Sequence, residues 1–173
     1  MVRSTPLASS GVVDVFDRLL ERLADACAAV YGERLVSVVV FGSVGRRAMR
    51  ADSDVDLLLV AATLPDGRLA RVQEFDGVEH ALAGELEAAR RSGVATRLSP
   101  ILKTPEEVSA GSPLFLDMID DGRLLVDRDG FFATILAGLE ERLDRLGARK
   151  LRRGGGWVWD LKPSFRPGDV VEL

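Results

Sequence analysis

Two aspartates one residue apart, Asp54 and Asp56, follow a Gly42-Ser43 pair and two arginines, Arg46 and Arg47, in the run FGSVGRRAMRADSDVDLLLV. On a strand, side chains two apart share a face, so these carboxylates stand on one side of the backbone, about 7 Å apart at Cα. Like charges so placed repel unless a cation sits between them. Hard oxygens suit Mg2+, which takes one or two protein carboxylates and completes its shell with water and substrate phosphates. On the other side of the turn, Gly42-Ser43 offers a close backbone approach and a hydroxyl. Arg46 and Arg47 fall within a helical turn whose N-terminal amides favour a phosphate anion. Phosphate donors and a metal-holding acid pair in one place suit a nucleoside triphosphate.

The elements that must position these residues read as an alternating series. Val12, Phe16, Leu19, Leu20, Leu23, Cys27 and Val30 recur at helical spacing and predict an amphipathic helix over 12–31, ended near Gly32. The β-branched run Leu35–Phe41 predicts a buried strand, and VDLLLV a second over 55–60. A helix over 68–92 with an interruption at Gly77, a third strand over 95–102, a helix over 105–120, a short strand over 124–126 and a helix over 130–146 follow. Pro100 cannot donate to a ladder, which places the third strand at an edge or a bulge. The order predicts an α/β (α+β) fold, a mixed sheet flanked by helices, with a domain over 1–153 and a short tail over 154–173 docking on it. Trp157 and Trp159 would share the strand face that docks the tail, and Lys162 is its most notable polar residue.

Composition narrows the function. The chain has 173 residues, 47% hydrophobic and 29% charged, enough for one well-buried core. A net charge of −4 supplies no positive field for a nucleic-acid backbone. The lone Cys27 cannot form an internal disulfide, no signal-peptide core opens the chain, and no run suits a membrane span; a reducing, cytoplasmic setting is expected.

Gly42-Ser43, ten intervening residues and Asp54-Val55-Asp56 resemble the signature of the DNA polymerase β-like nucleotidyltransferase superfamily, in particular its minimal branch. The likeness extends to Phe41, Arg46, Ser53 and the apolar LLLV. It implies a Mg2+-dependent enzyme in which Gly42, Ser43, Arg46, Arg47 and Ser53 bind the nucleotide and Asp54 and Asp56 bind metal and serve catalysis. An acceptor hydroxyl then attacks the α-phosphorus of the substrate, ATP, and pyrophosphate leaves. Minimal members of this kind are paired with a helical HEPN-type protein in toxin–antitoxin systems, and the implied reaction is transfer of AMP to a hydroxyl of that partner.

The sequence departs from the pattern twice. Arg47 stands where the family carries a small residue, often glycine. Active members also carry a third carboxylate on the next strand, yet that strand reads ATRLSPIL, with Arg97 or Ser99 at the position, and no acid lies between Glu87 and Glu106. Either two aspartates suffice, or Glu106, Glu107 or a partner chain supplies the acid. The alternative is a nucleotide-binding module that neutralises its partner by contact. Asp127-Arg-Asp129 repeats the spacing but precedes a helix, where aspartates cap. His80 lacks a metal-ligating neighbour in sequence, and Arg149, Lys150, Arg152 and Arg153 read as a solvated helix end.

Overall fold

A computed structural model describes residues 9–154, 156–161 and 163. Its framework is a four-stranded sheet in the order β3-β2-β1-β4, built from β1 (Leu35–Phe41), β2 (Val55–Ala61), β3 (Leu98–Lys103) and β4 (Arg123–Asp127). β1 pairs antiparallel with both β2 and β4, while β2 and β3 are parallel, so the sheet is mixed as expected. A parallel neighbour needs a crossover. It is provided by α3 (Arg68–Ala81) and α4 (Ala83–Arg91).

Both sheet faces are covered, which is why β1 and β2 are near-continuous apolar runs rather than alternating ones. On one face Val38, Val40, Leu57 and Leu59 pack against Phe16, Leu20, Leu23 and Cys27 of α1 (Ser9–Tyr31) and against Phe75 and Val78 of α3. Burial pushes the Cys27 thiol pKa up to about 12, so it acts as an inert packing group. On the other face Val39, Phe41, Leu58 and Val60 meet Phe115 and Met118 of α6 (Phe115–Asp121) and Phe132, Leu139 and Leu143 of α7 (Phe131–Leu146). The α6–α7 contact includes an edge-to-face pair, Phe115 on Phe132, with ring centroids 5.4 Å apart.

Several predicted boundaries move for identifiable reasons. The helix over 68–92 breaks at Leu82, not at Gly77, which stays helical where α3 passes Val30 of α1. The helix over 105–120 divides into α5 (Pro105–Ser109) and α6, because Gly111 adopts φ +83° and Pro113 follows. α5 opens on a capping box in which the Thr104 hydroxyl accepts the Glu107 amide and Glu107 accepts the Thr104 amide. The basic run is a strand, β5 (Arg149–Arg153), paired antiparallel with β6 (Gly156–Asp160), and not a helix end. Trp159 and Leu161 pack against the second core, and Lys150 reaches Asp120 at 2.7 Å. The predicted boundary at 153/154 falls in the turn of this hairpin; the Trp157 side chain, Lys162 and 164–173 lie outside the described residues. None of the described helices is long and apolar enough to cross a membrane.

Asp127 is a cap. It accepts the Ser37 hydroxyl at 2.7 Å and the amides of Phe132 at 2.9 Å and Ala133 at 3.1 Å, joining β1 and β4 to the first turn of α7. His80 sits with Nδ1 2.6 Å from the Asp76 carbonyl oxygen, one turn back in its own helix. Replacing Asp127 with Ala leaves a buried hydroxyl and two helix amides without their acceptor. Urea unfolding of Asp127→Ala should show a loss of about 1–3 kcal/mol, and an unchanged midpoint would show that water replaces the cap without cost.

Candidate active site

The two aspartates stand where β2 begins. Register places Phe41 of β1 beside Asp56, and Asp56 beside Ser99 of β3, in one row across the sheet on the face of Leu58 and Val60. Asp54 lies two residues earlier on the same side, with Arg97 next to it; Val55 N–H donates to the Arg97 carbonyl at 2.8 Å. From Val55 to Ala61 every β2 residue except Asp56 is buried, so the acids are placed at the sheet's wet end, where water reaches them.

Gly42 leaves β1 with φ +67° and passes directly over Asp56. A Cβ added there would lie 2.6 Å from Asp56 Oδ2, so the first glycine of the motif makes room for the carboxylate. The chain then forms the one-turn helix α2 (Gly42–Gly45). Arg46 N–H closes on Gly42 C=O, Arg47 N–H on Val44 C=O and Ala48 N–H on Ser43 C=O, with Arg47 at φ +55°. These are the two bonds and the left-handed residue of a Schellman ending, a position that favours glycine. Arg47 thus stands where a glycine would adopt the backbone freely.

The arginines near the aspartates are paired. Arg46 Nη1 meets Asp121 of α6 at 3.2 Å, with the arginine 48% and the aspartate 19% exposed. Arg47 Nη2 turns to the other face and meets Asp17 of α1 at 2.8 Å; Arg123 of β4 holds the other oxygen of Asp17 at 2.7 Å. The Arg123 hydrogen bond, helped by Arg47 and opposed in part by burial, lowers the Asp17 pKa below its ordinary 3.8. Arg50 meets Asp52 at 3.3 Å, and Arg97 meets Asp54 at 3.6 Å with both side chains open to solvent. The Ser53 hydroxyl accepts the Arg50 amide at 2.9 Å and shapes the loop before β2. Ser43 is half-buried beside Gly42.

Each of these arginines is thus paired with an acid before any ligand arrives, Arg47 and Arg123 sharing Asp17, while Asp56 makes no ion pair with a described residue. The pairing acids Asp17 and Asp121 have no motif of their own in the sequence. Asp17 differs from its neighbours only as a charge between buried Phe16 and Leu19–Leu20 of α1.

No third acid joins the row. Ser99 is exposed beside Asp56, and Glu107 lies past the far end of β3, about 16 Å along the strand at ~3.3 Å per residue. There it is held by Arg71 at 2.7 Å and by the Thr104 amide; Glu106 is next to it. Among the described residues no group of three or more His, Cys, Asp or Glu side chains could hold a metal ion. The two solvent-facing carboxylates fit a hard divalent cation that takes its remaining ligands from water and phosphate. A cavity of about 760 Å³ runs between α3 and the outer edge of β3 past Phe75 and Pro100; Asp54 and Asp56 do not line it.

No protein-family model matches the chain. A candidate protein adenylyltransferase of Methanocaldococcus jannaschii is 29% identical over 134 residues, covering 76% of this chain and 86% of that protein. Similar solved structures include a toxin–antitoxin complex with AMP-PNP, at 18% identity, TM-score 0.43, and coverage of 73% of this chain and 92% of that one. Another is a tri-AMPylated HEPN toxin with its MNT antitoxin from Shewanella oneidensis, at 16% identity, TM-score 0.38, and coverage of 80% and 89%.

Two outcomes follow from the geometry. Gly42→Ala adds a methyl that meets Asp56 and strains a left-handed position, so urea unfolding should show a loss of about 1–3 kcal/mol; wild-type stability would mean that Asp56 moves aside freely. Asp17, with its depressed pKa, stabilises the fold above its ordinary pKa, and that contribution is lost as pH falls through the folded value, below 3.8. Stability should therefore drop less between pH 7 and pH 3 in Asp17→Asn than in the parent, and equal drops would remove Asp17 from the acid response.

Proposed function

We propose that this chain, a relative of the minimal nucleotidyltransferases, transfers AMP from ATP to a hydroxyl of a partner protein. The observation that carries the reading is the seating of Asp56 directly beneath Gly42, which puts the acid pair against the Ser43–Arg46 turn. The similarity over 134 residues to a candidate protein adenylyltransferase supports a protein as acceptor and adenylate as the transferred group. On the family resemblance, the partner is a helical HEPN-type protein.

In this reading Ser43 and Arg46 bind the triphosphate, Gly42 gives it backbone access, and Ser53 and Arg47 hold the loop and turn in shape. Asp54 and Asp56 would hold Mg2+, which when bound neutralises phosphate charge and orients the α-phosphorus. The acceptor oxygen bonds to that phosphorus in line, the bond to pyrophosphate breaks, and the hydroxyl proton leaves to solvent. Catalysis of this kind is chiefly positioning and charge stabilisation. The paired arginines make the cation essential: without it, a triphosphate meets guanidinium groups already satisfied by carboxylates. ATP should therefore bind by calorimetry with Mg2+ and much more weakly with EDTA. Arg46→Ala should cost about 1–3 kcal/mol of that binding. Equal affinity with EDTA would remove Asp54 and Asp56 from the site.

A second reading, a nucleotide-binding module that neutralises its partner by contact, draws on Arg97 and Ser99 standing where an acid is expected. Transfer of labelled AMP to the partner separates the two. General-base help is worth about 10²–10⁴-fold, so the parent should be slow. Asp54→Asn with Asp56→Asn should be inactive, and Ser99→Asp, an exposed residue in register with Asp56, should be faster. No transfer by the parent or by Ser99→Asp, with partner binding intact, would leave the module.

A further inference from the structure

We propose that Asp17, on α1 and outside the motif, is a positioning residue that holds the phosphate turn in its binding shape through Arg47. The inference rests on reading that turn as the triphosphate site. Arg47 occupies a left-handed conformation that a side chain disfavours and glycine adopts freely. A family glycine at this position needs no tether. Here the side chain that creates the strain also carries the means of holding it, an ion pair to Asp17 at 2.8 Å.

Asp17 is itself a fixed post. Phe16, Leu19 and Leu20 are buried on either side of it in α1, and Arg123 of β4 fastens its second oxygen at 2.7 Å. From Arg47 the effect passes along the backbone. Its left-handed conformation lets Ala48 N–H reach Ser43 C=O at 2.9 Å, and Arg47 N–H reach Val44 C=O at 3.1 Å. Of the proposed triphosphate ligands, Ser43 accepts the first of these bonds and Arg46 lies within both. Freed from Asp17, residue 47 relaxes toward right-handed or extended backbone, the bond to Ser43 opens, and the hydroxyl and guanidinium lose their common orientation. The arginine thus makes the turn conditional on a helix thirty residues upstream.

The test is a two-site cycle on the full chain: parent, Asp17→Asn, Arg47→Gly and Asp17→Asn with Arg47→Gly. Amide hydrogen exchange at Ala48 reads the turn with no ligand, and calorimetry with ATP and Mg2+ reads binding. Asp17→Asn should deprotect the Ala48 amide and weaken ATP by about tenfold, the scale of a strained residue losing its restraint. Adding Arg47→Gly should restore both, because glycine holds the left-handed conformation unaided. A role for Asp17 confined to α1 or to Arg123 gives no such rescue. Unchanged Ala48 protection in Asp17→Asn, or an Asp17→Asn loss that Arg47→Gly leaves in place, overturns the inference. If the parent binds no ATP, the site reading fails instead, and Ala48 exchange still decides whether Asp17 holds the turn.

Discussion

Two carboxyl side chains at the head of a buried strand are the constraint around which this molecule is arranged. β2 is apolar from Leu57 to Ala61, so Asp54 and Asp56 can exist only where the strand reaches solvent, and whatever surrounds them must accept negative charge. β1 answers by ending on a glycine, whose missing side chain leaves space for Asp56. The residue before β3 is Arg97, a weak exposed partner for Asp54. The arginine-rich turn lies close by, yet each of its cations is drawn off by an aspartate from another element. The guanidinium groups beside the acid pair are thus neutralised from within the protein.

Much of this was legible in the chain because it depends on local pattern. Leu35–Phe41 and VDLLLV announce strands by composition, the Gly42-Ser43 and Asp54-Val55-Asp56 spacing announces the site, and Pro100 announces an edge. Asp127 could be read as a cap from its place before an apolar helix. What could not be read depends on distant partners. Arg46 and Arg47 look alike in sequence, but they lie on opposite sides of the turn, and nothing near residue 47 indicates Asp17. The RKLRR run has the composition of a frayed helix end and becomes a strand because GWVWD pairs with it. Gly77 reads as a helix break, yet the break falls at Leu82, one turn further on, where α3 gives way to α4.

The two departures from the pattern that the sequence resembles differ in kind. Arg47 in place of glycine meets an acid from α1, Asp17, at 2.8 Å. Ser99 for an acid is not compensated by any described residue, and Glu107, the nearest downstream carboxylate with a fixed position, is committed to Arg71 at the other end of β3. The first departure changes how the turn is held; the second changes what the site can do.

The outer strand has a consequence for the whole sheet. β3 is an edge, and because Val55 N–H takes the Arg97 carbonyl, alternation turns Leu98, Pro100 and Leu102 toward the free side. Pro100 offers no N–H there, and Arg71 already occupies the Leu102 carbonyl at 3.2 Å. A strand from another molecule that tried to extend the sheet would find the ladder interrupted at its centre and blocked at its end. The same edge that leaves Ser99 open beside the aspartates is thereby guarded against runaway edge-to-edge stacking, so the acid pair can stay exposed without exposing the sheet to its own copies.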